Sequence, residues 1–174
     1  MPPPPPPYVV GIDTDATDLR EADHLLRTLA AGLRLPEDTF GCTHLVRGER
    51  PRVALSLAVA SEPVLRTARE RLAAQGYALA DTPADAVGRA VLYPGAEALT
   101  GTLPVAELLA RSAIDRVTVL GGPEPPSGDT PVVTRGHVRP QWQHGRLVLA
   151  ATPAAGGTLV PFEFPDPTPC CADH

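Results

Sequence analysis

The stretch RVALSLAVASEPVLRTARERLAAQG, residues 52–76, carries the clearest fold signal in the chain. Its first nine residues, 52–60, are almost entirely apolar, which predicts a buried strand. Ser61 is placed to cap a helix and Pro63 lies in its first turn, where proline is favoured. Gly76 stands where that helix is expected to end. Apolar residues recur between them at helical spacing: Val64, Leu65, Ala68 and Leu72. A strand followed by an amphipathic helix predicts a sheet covered by helices.

The same alternation continues on both sides of this stretch. Before it, we predict a strand over residues 8–13, a helix from the capping residue Asp18 to Pro36, and a strand over 39–46. After it, strands are predicted over 89–93 and 116–120, separated by a helix that Thr102 caps and that runs to about Ser112. The expected fold class is α/β, with α+β as the alternative, and about three helices on a mixed sheet.

Beyond Gly122 the pattern changes to short strands without helical periodicity. The breaker cluster PEPPSGDT, residues 123–130, is the best candidate for an internal boundary. After it we predict an antiparallel β meander that either extends the main sheet or folds over one face. Its four strands are expected over 131–136, 138–143, 146–151 and 158–164. The domain prediction is therefore a disordered proline tail (1–7), one domain (8–164) and an extended C-terminal tail (165–174).

Composition excludes several kinds of chemistry and partner. All 15 basic residues among the 174 are arginine, so a Schiff-base lysine and a P-loop lysine are excluded. The formal net charge is −5 and the arginines are scattered, so we expect no nucleic-acid partner. The sequence has no apolar run long enough for a membrane span and no secretory signal pattern. We therefore expect a cytoplasmic protein that does not bind a membrane.

Thiol and imidazole groups form the first candidate site. Cys42 and His44 lie two apart on a predicted strand, so their side chains should share a face. Cys170, Cys171 and His174 end the chain in a proline-rich segment that has little to pack. Together these five residues offer enough ligands for a tetrahedral zinc or copper site. The competing interpretation makes Cys42 a buried apolar residue, His44 a surface residue and the tail a free end.

An aspartate-rich segment forms the second candidate site. The residues Asp13-Thr14-Asp15-Ala16-Thr17 follow the first predicted strand. This D-x-D-x-T pattern resembles the first motif of haloacid-dehalogenase-type phosphatases. The resemblance implies Asp13 as nucleophile, Asp15 as general acid/base and a bound Mg²⁺. That family usually supplies a lysine later in the chain, and here an arginine would have to replace it. The alternative is a turn whose negative charge favours the first helix N-terminus.

These observations favour a small accessory or binding protein over an enzyme, with a soft or borderline metal bound through the cysteines and histidines. A Mg²⁺-dependent phosphatase is the first alternative. The second is a non-catalytic interaction subunit that contacts another protein through its two proline-rich ends.

Overall fold

The first six elements form a βαββαβ unit in the computed structural model, which describes residues 5–85 and 87–165. Their strands pair in the order β4-β1-β3-β2, and every neighbouring pair is antiparallel. This connectivity is that of a ferredoxin-like split βαβ unit. The elements are β1 (Tyr8–Ile12), α1 (Leu19–Leu33), β2 (Phe40–Val46), β3 (Arg52–Val59), α2 (Glu62–Ala74) and β4 (Leu79–Ala80).

Local signals set the ends of both helices. The Asp18 carboxylate accepts a hydrogen bond from the backbone N–H of Glu21 at 2.8 Å, which satisfies a free donor in the first turn of α1. Proline in its first turn starts α2, and Gly76 follows its end with a φ of 91°, a conformation that favours glycine. Leu26 and Leu72 are fully buried, so each helix packs its apolar stripe on the sheet.

The remaining strands extend this sheet beyond β2. The order continues β2-β5-β9-β10-β11-β8-β6, and β7 pairs with β10 outside this path. Within the described residues the chain thus has three α-helices and an 11-stranded, mostly antiparallel sheet, a mixed α+β fold. The added elements are β5 (Arg89–Leu92), β6 (Thr102–Pro104), α3 (Val105–Arg111), β7 (Arg116–Val119), β8 (Pro131–Val133), β9 (Gln141–Gln143), β10 (Arg146–Ala154) and β11 (Thr158–Pro161).

Three of the predicted features differ in the structure. Thr102 does not cap α3, because it pairs with Val133 of β8 and the helix begins only at Val105. The strand expected over 131–136 ends at Val133, since Arg135 and Gly136 both adopt positive φ in a turn. Strands β9, β10 and β11 pair as the predicted antiparallel meander, whereas β8 pairs with β11 in parallel.

The two faces of the βαββαβ sheet carry different neighbours. Leu55 and Leu57 of β3 pack under α1 and α2 in one apolar core, and the second core is built mainly from residues after β5. The opposite face of the sheet carries Cys42 and Ser56, which are register partners on β2 and β3. None of the described helices is long and apolar enough to cross a membrane.

One connection must cross that opposite face. The strand β4 lies at one edge of the βαββαβ sheet and β5 at the other, so residues 81–85 and 87–88 pass over β1, β3 and β2. Gly11 permits this crossing, because a Cβ atom there would lie 2.5 Å from the carbonyl oxygen of Thr82. A Cβ atom on Gly88 would likewise lie 3.1 Å from the Cys42 sulfur. The crossing segment therefore delivers its side chains to the face that holds Cys42.

Candidate functional site

The predicted metal ligands are only partly described by the structure. Cys42 and His44 lie on the same face of β2 and line one cavity, as their spacing predicts. Cys170, Cys171 and His174 lie outside the described residues. Among the residues that are described, no three or more His, Cys, Asp or Glu side chains are grouped to hold a metal ion.

The aspartate-rich segment is tied to the neighbouring strand. The carboxylate of Asp13 accepts a 2.6 Å hydrogen bond from Nε of Arg52. The Thr14 hydroxyl donates to the carbonyl of Val53 at 2.7 Å and accepts from the backbone N–H of Ala16 at 3.0 Å. Asp15 is exposed. The segment thus forms a hydrogen-bonded turn between β1 and α1, in which Asp13 is occupied by an arginine.

His44 joins two other polar side chains in a hydrogen-bonded chain. Its Nε2 lies 2.7 Å from Oγ of Ser56, and its Nδ1 lies 2.9 Å from Oδ1 of Asp85. A carboxylate accepts hydrogen bonds and does not donate them, so Nδ1–H donates to Asp85. In the neutral imidazole, Nε2 is then the acceptor for the hydroxyl proton of Ser56. His44 is only 3% exposed, so the ring is fixed by its surroundings as well as by these two bonds.

The fold brings these three residues together from separate elements. Ser56 is opposite Cys42 in the β2–β3 register, and His44 is opposite Ala54, so Ser56 and His44 are diagonal neighbours on one face. Asp85 arrives on the crossing segment that precedes β5. Its carboxylate also accepts the backbone N–H of Val87 at 3.1 Å, which orients it within the loop.

A cavity of about 220 Å³ lies beside the hydrogen-bonded side chains of Ser56, His44 and Asp85. Its walls are mostly apolar, and the rings of Phe40 and Trp142 lie 5.3 Å apart between their centroids. Asp85 is the one acidic residue among the lining residues. Pro5 and Pro6, from the predicted proline tail, also line it. The remaining lining residues are Val9, Cys42, His44, Ser56, Ala58, Pro83, Gly88 and Gly145.

Cys42 is the second potential nucleophile in this cavity. Burial raises the pKa of its thiol to about 12, although hydrogen bonds with Trp142 and Ser56 and the charge of Arg89 partly oppose this. The thiol is therefore protonated at neutral pH, and a protonated thiol is a weak nucleophile. Of the two side chains, only Ser56 has a base aligned on it.

A separate charge network lies under α1 on the helix-bearing face. Nη1 and Nη2 of Arg89 donate to the two carboxylate oxygens of Asp23 at 2.6 and 3.2 Å. Nε of Arg89 donates to Glu163 at 2.8 Å, and Nε of Arg139 donates to Asp23 at 3.0 Å. Burial opposes the charge on Arg89, but hydrogen bonds to Glu163 and Asp23 raise its pKa overall. The network joins α1, β5 and the end of the described chain.

Sequence reasoning missed two of the three linked residues. Ser56 is the one polar side chain within the apolar run Val53–Val59 of β3, and that interruption was an available signal. Asp85 gives no local signal, because only the path of the crossing segment places it against β2. The chain matches no protein-family model, and comparisons with curated proteins and with solved structures find no match.

Proposed function

We propose that this protein hydrolyses small carboxylic esters, with Ser56 as nucleophile, His44 as general base and Asp85 as the residue that orients His44. The observation that carries the proposal is the chain of hydrogen bonds Ser56 Oγ–His44 Nε2, 2.7 Å, and His44 Nδ1–Asp85 Oδ1, 2.9 Å. This is the arrangement by which serine hydrolases activate a hydroxyl group, and it recurs on unrelated folds.

The proposed reaction has two steps. Ser56 Oγ attacks the ester carbonyl carbon and passes its proton to His44 Nε2, and the Asp85 carboxylate stabilises the imidazolium that forms. His44 then returns the proton to the leaving alkoxide, which departs as an alcohol and leaves an acyl group on Ser56. A water molecule, deprotonated by the same Nε2, releases the acid and restores the Ser56 hydroxyl.

The surroundings of Ser56 limit both the substrate and the rate. A cavity of about 220 Å³ with aromatic walls suits a short, uncharged acyl group. Ser56 lies on an inner strand of the sheet, so its backbone N–H belongs to the strand ladder and cannot stabilise an oxyanion. Losing one such donor costs roughly 10²- to 10³-fold in rate in known hydrolases, so we expect slow turnover.

Hydrolysis of 4-nitrophenyl acetate and 4-nitrophenyl octanoate tests the proposal. The wild type should prefer the acetate, and Ser56→Ala and His44→Gln should reduce its hydrolysis to the buffer rate. Asp85→Asn should lower kcat by about 10²-fold or more, because the amide no longer stabilises the imidazolium. Asp85 is 43% exposed, so this variant should fold normally.

Ser61→Ala is the matched control, because the Ser61 side chain makes no capping hydrogen bond to α2. It should retain wild-type activity and the wild-type melting temperature. Activity that persists in both Ser56→Ala and His44→Gln would contradict the proposal. So would a folded wild type that hydrolyses neither ester.

Metal binding is the second candidate, and one observation favours it. A Cβ atom built on Gly88 would lie 3.1 Å from Cys42 Sγ and 3.2 Å from His44 Cε1, so both side chains adjoin the same point. A zinc or copper ion at this point would bind one nitrogen of His44, and that nitrogen would lose its hydrogen bond with Ser56 or Asp85. The ion would also require Cys42 in its thiolate form. The two functions therefore compete for His44.

Elemental analysis of protein purified without chelator distinguishes these functions. A metal site predicts stoichiometric zinc or copper, which is lost when Cys170 and Cys171 are both replaced by Ser. It also predicts that added Zn²⁺ inhibits any esterase activity. A metal-free protein with esterase activity supports the serine mechanism alone, and bound metal without activity supports the metal site alone.

A further inference from the structure

The prolines that precede β1 lie over the face of the sheet that carries Ser56. Pro5 and Pro6 line the same cavity as Trp142, although β1 and β9 are four strands apart in the sheet order. Neighbouring strands are about 4.8 Å apart, so a segment that continued β1 in a straight line would not reach this cavity. The proline segment therefore leans across the sheet towards its middle strands.

The surface beneath this segment is apolar. Val9, Ala58 and Phe40 are successive register partners on β1, β3 and β2, so their side chains form one row on the face of Ser56. The ring of Trp142 lies beside this row, with its centroid 5.3 Å from that of Phe40. Both aromatic side chains are only partly buried. The two rings thus keep surface that a further apolar group can contact.

Proline suits such a surface for two reasons. Proline-rich segments dock on aromatic grooves because their extended helix is already formed and loses little entropy on binding. Proline also lacks a backbone N–H, so no donor is left unsatisfied against an apolar wall. Residues 2–7 are all proline, and Pro6 is partly buried whereas Pro5 and Pro7 are exposed. The chain therefore carries a segment of matching chemistry next to the aromatic pair.

We propose that Phe40 and Trp142 form a proline-binding surface whose partner is the chain's own Pro5 and Pro6. Only Pro7 separates this pair from β1, so the contact is intramolecular and is favoured by a high effective concentration. The bound prolines restrict access to the cavity beside Ser56. This last consequence rests on the proposed ester hydrolysis, whereas the contact itself does not.

Acrylamide quenching of tryptophan fluorescence in the full chain tests the contact. Trp142 is the single tryptophan of the sequence, so the signal reports on this surface alone. Pro5→Gly combined with Pro6→Gly should raise the quenching constant at least about twofold, because flexible glycines lose more entropy on docking. Pro123→Gly combined with Pro125→Gly is the matched control at exposed prolines outside the cavity and should leave the constant unchanged. Equal quenching of the wild type and the first variant would overturn the proposal.

Two further measurements identify what occupies the surface. A peptide of the sequence PPPPPPY at roughly millimolar concentration should protect Trp142 in the Pro5→Gly/Pro6→Gly variant but not in the wild type, whose surface is occupied. Equal protection of both proteins would assign the surface to a proline-rich partner in trans and overturn the intramolecular contact. Quenching of the wild type should not change on about hundredfold dilution, because an intramolecular contact does not depend on concentration. Stronger quenching on dilution would assign the contact to a second copy of the chain.

Hydrolysis of the two nitrophenyl esters tests the effect on access. In the Pro5→Gly/Pro6→Gly variant, kcat/KM for 4-nitrophenyl octanoate should rise about threefold or more, because the cavity is no longer covered. The smaller acetate should gain less. An unchanged ratio of the two rates in an active enzyme would overturn the covering role. A wild type that hydrolyses neither ester would contradict the proposed function alone, because quenching of Trp142 measures the contact without any turnover.

Discussion

Replacement of Asp23 should destabilise the fold, because it leaves buried arginine charge without its carboxylate partner. Its two oxygens accept hydrogen bonds from both Arg89 and Arg139, and its side chain is only 9% exposed. Asp23→Asn changes the shape little but removes the negative charge. Arg89 would then keep Glu163 as its carboxylate partner, whereas Arg139 would lose the carboxylate with which it pairs.

The magnitude follows from the burial of the three side chains. Removing one partner from a buried ion pair typically costs about 3–5 kcal/mol, because the remaining charge stays buried without compensation. The side chains of Arg89 and Arg139 are 9% and 6% exposed, so solvent can screen neither of them fully. With a urea m-value of about 2 kcal/mol/M, the unfolding midpoint should fall by roughly 1.5–2.5 M.

Urea denaturation followed by circular dichroism measures this change. The matched control is Glu62→Gln, which removes an exposed ion pair with Arg66 and should cost less than about 0.5 kcal/mol. A loss below about 1 kcal/mol for Asp23→Asn, with an unchanged m-value, would refute the conclusion that this network is buried and mutually compensating.

Three further predictions concern the core, the thiol and the acid side of the stability curve. Leu72→Ala should cost about 2–5 kcal/mol in a thermal melt, because the fully buried side chain leaves a cavity; a neutral change would mean that α2 is rotated. Burial raises the Cys42 pKa to about 12, so iodoacetamide at pH 8 should modify this thiol far more slowly in the native protein than in urea, and equal rates would contradict its burial. Burial would raise the pKa of Glu163, but Arg89 and His137 lower it below its ordinary value of 4.5. Its contribution to stability is therefore present above that value and lost as the pH falls through the lower folded-state pKa, so Glu163→Gln should weaken the acid dependence of the melting temperature.

The elements with local signals were predictable from the sequence. The capping residue Asp18, the proline in the first turn of α2 and the terminal Gly76 act within one helical turn, and the structure has both helices where these residues predict them. The start of α3 was not predictable, because Thr102 is held in β6 by pairing with Val133, which is 31 residues away. Pairing over such distances leaves no periodic trace in the sequence.

The residues of the candidate site likewise fall into those that the sequence predicts and those that depend on the path of a loop. Strand alternation placed Cys42 and His44 on one face, since that depends only on their spacing. Asp85 could not be assigned, because it reaches His44 only by way of a segment that crosses three strands. Pro5 and Pro6 line the same cavity, although their composition predicts only an extended tail. Contacts that depend on the path of a loop need the fold itself.

Covalent labelling of Ser56 tests the central claim most directly. A small alkyl fluorophosphonate reacts with a serine hydroxyl that a histidine activates, and peptide mass spectrometry identifies the modified residue. We predict stoichiometric labelling of Ser56, none of Ser61, and loss of labelling in His44→Gln or after unfolding in urea. An unlabelled Ser56 in the folded protein, or labelling that His44→Gln leaves unchanged, would contradict the proposal that Ser56 is an activated nucleophile.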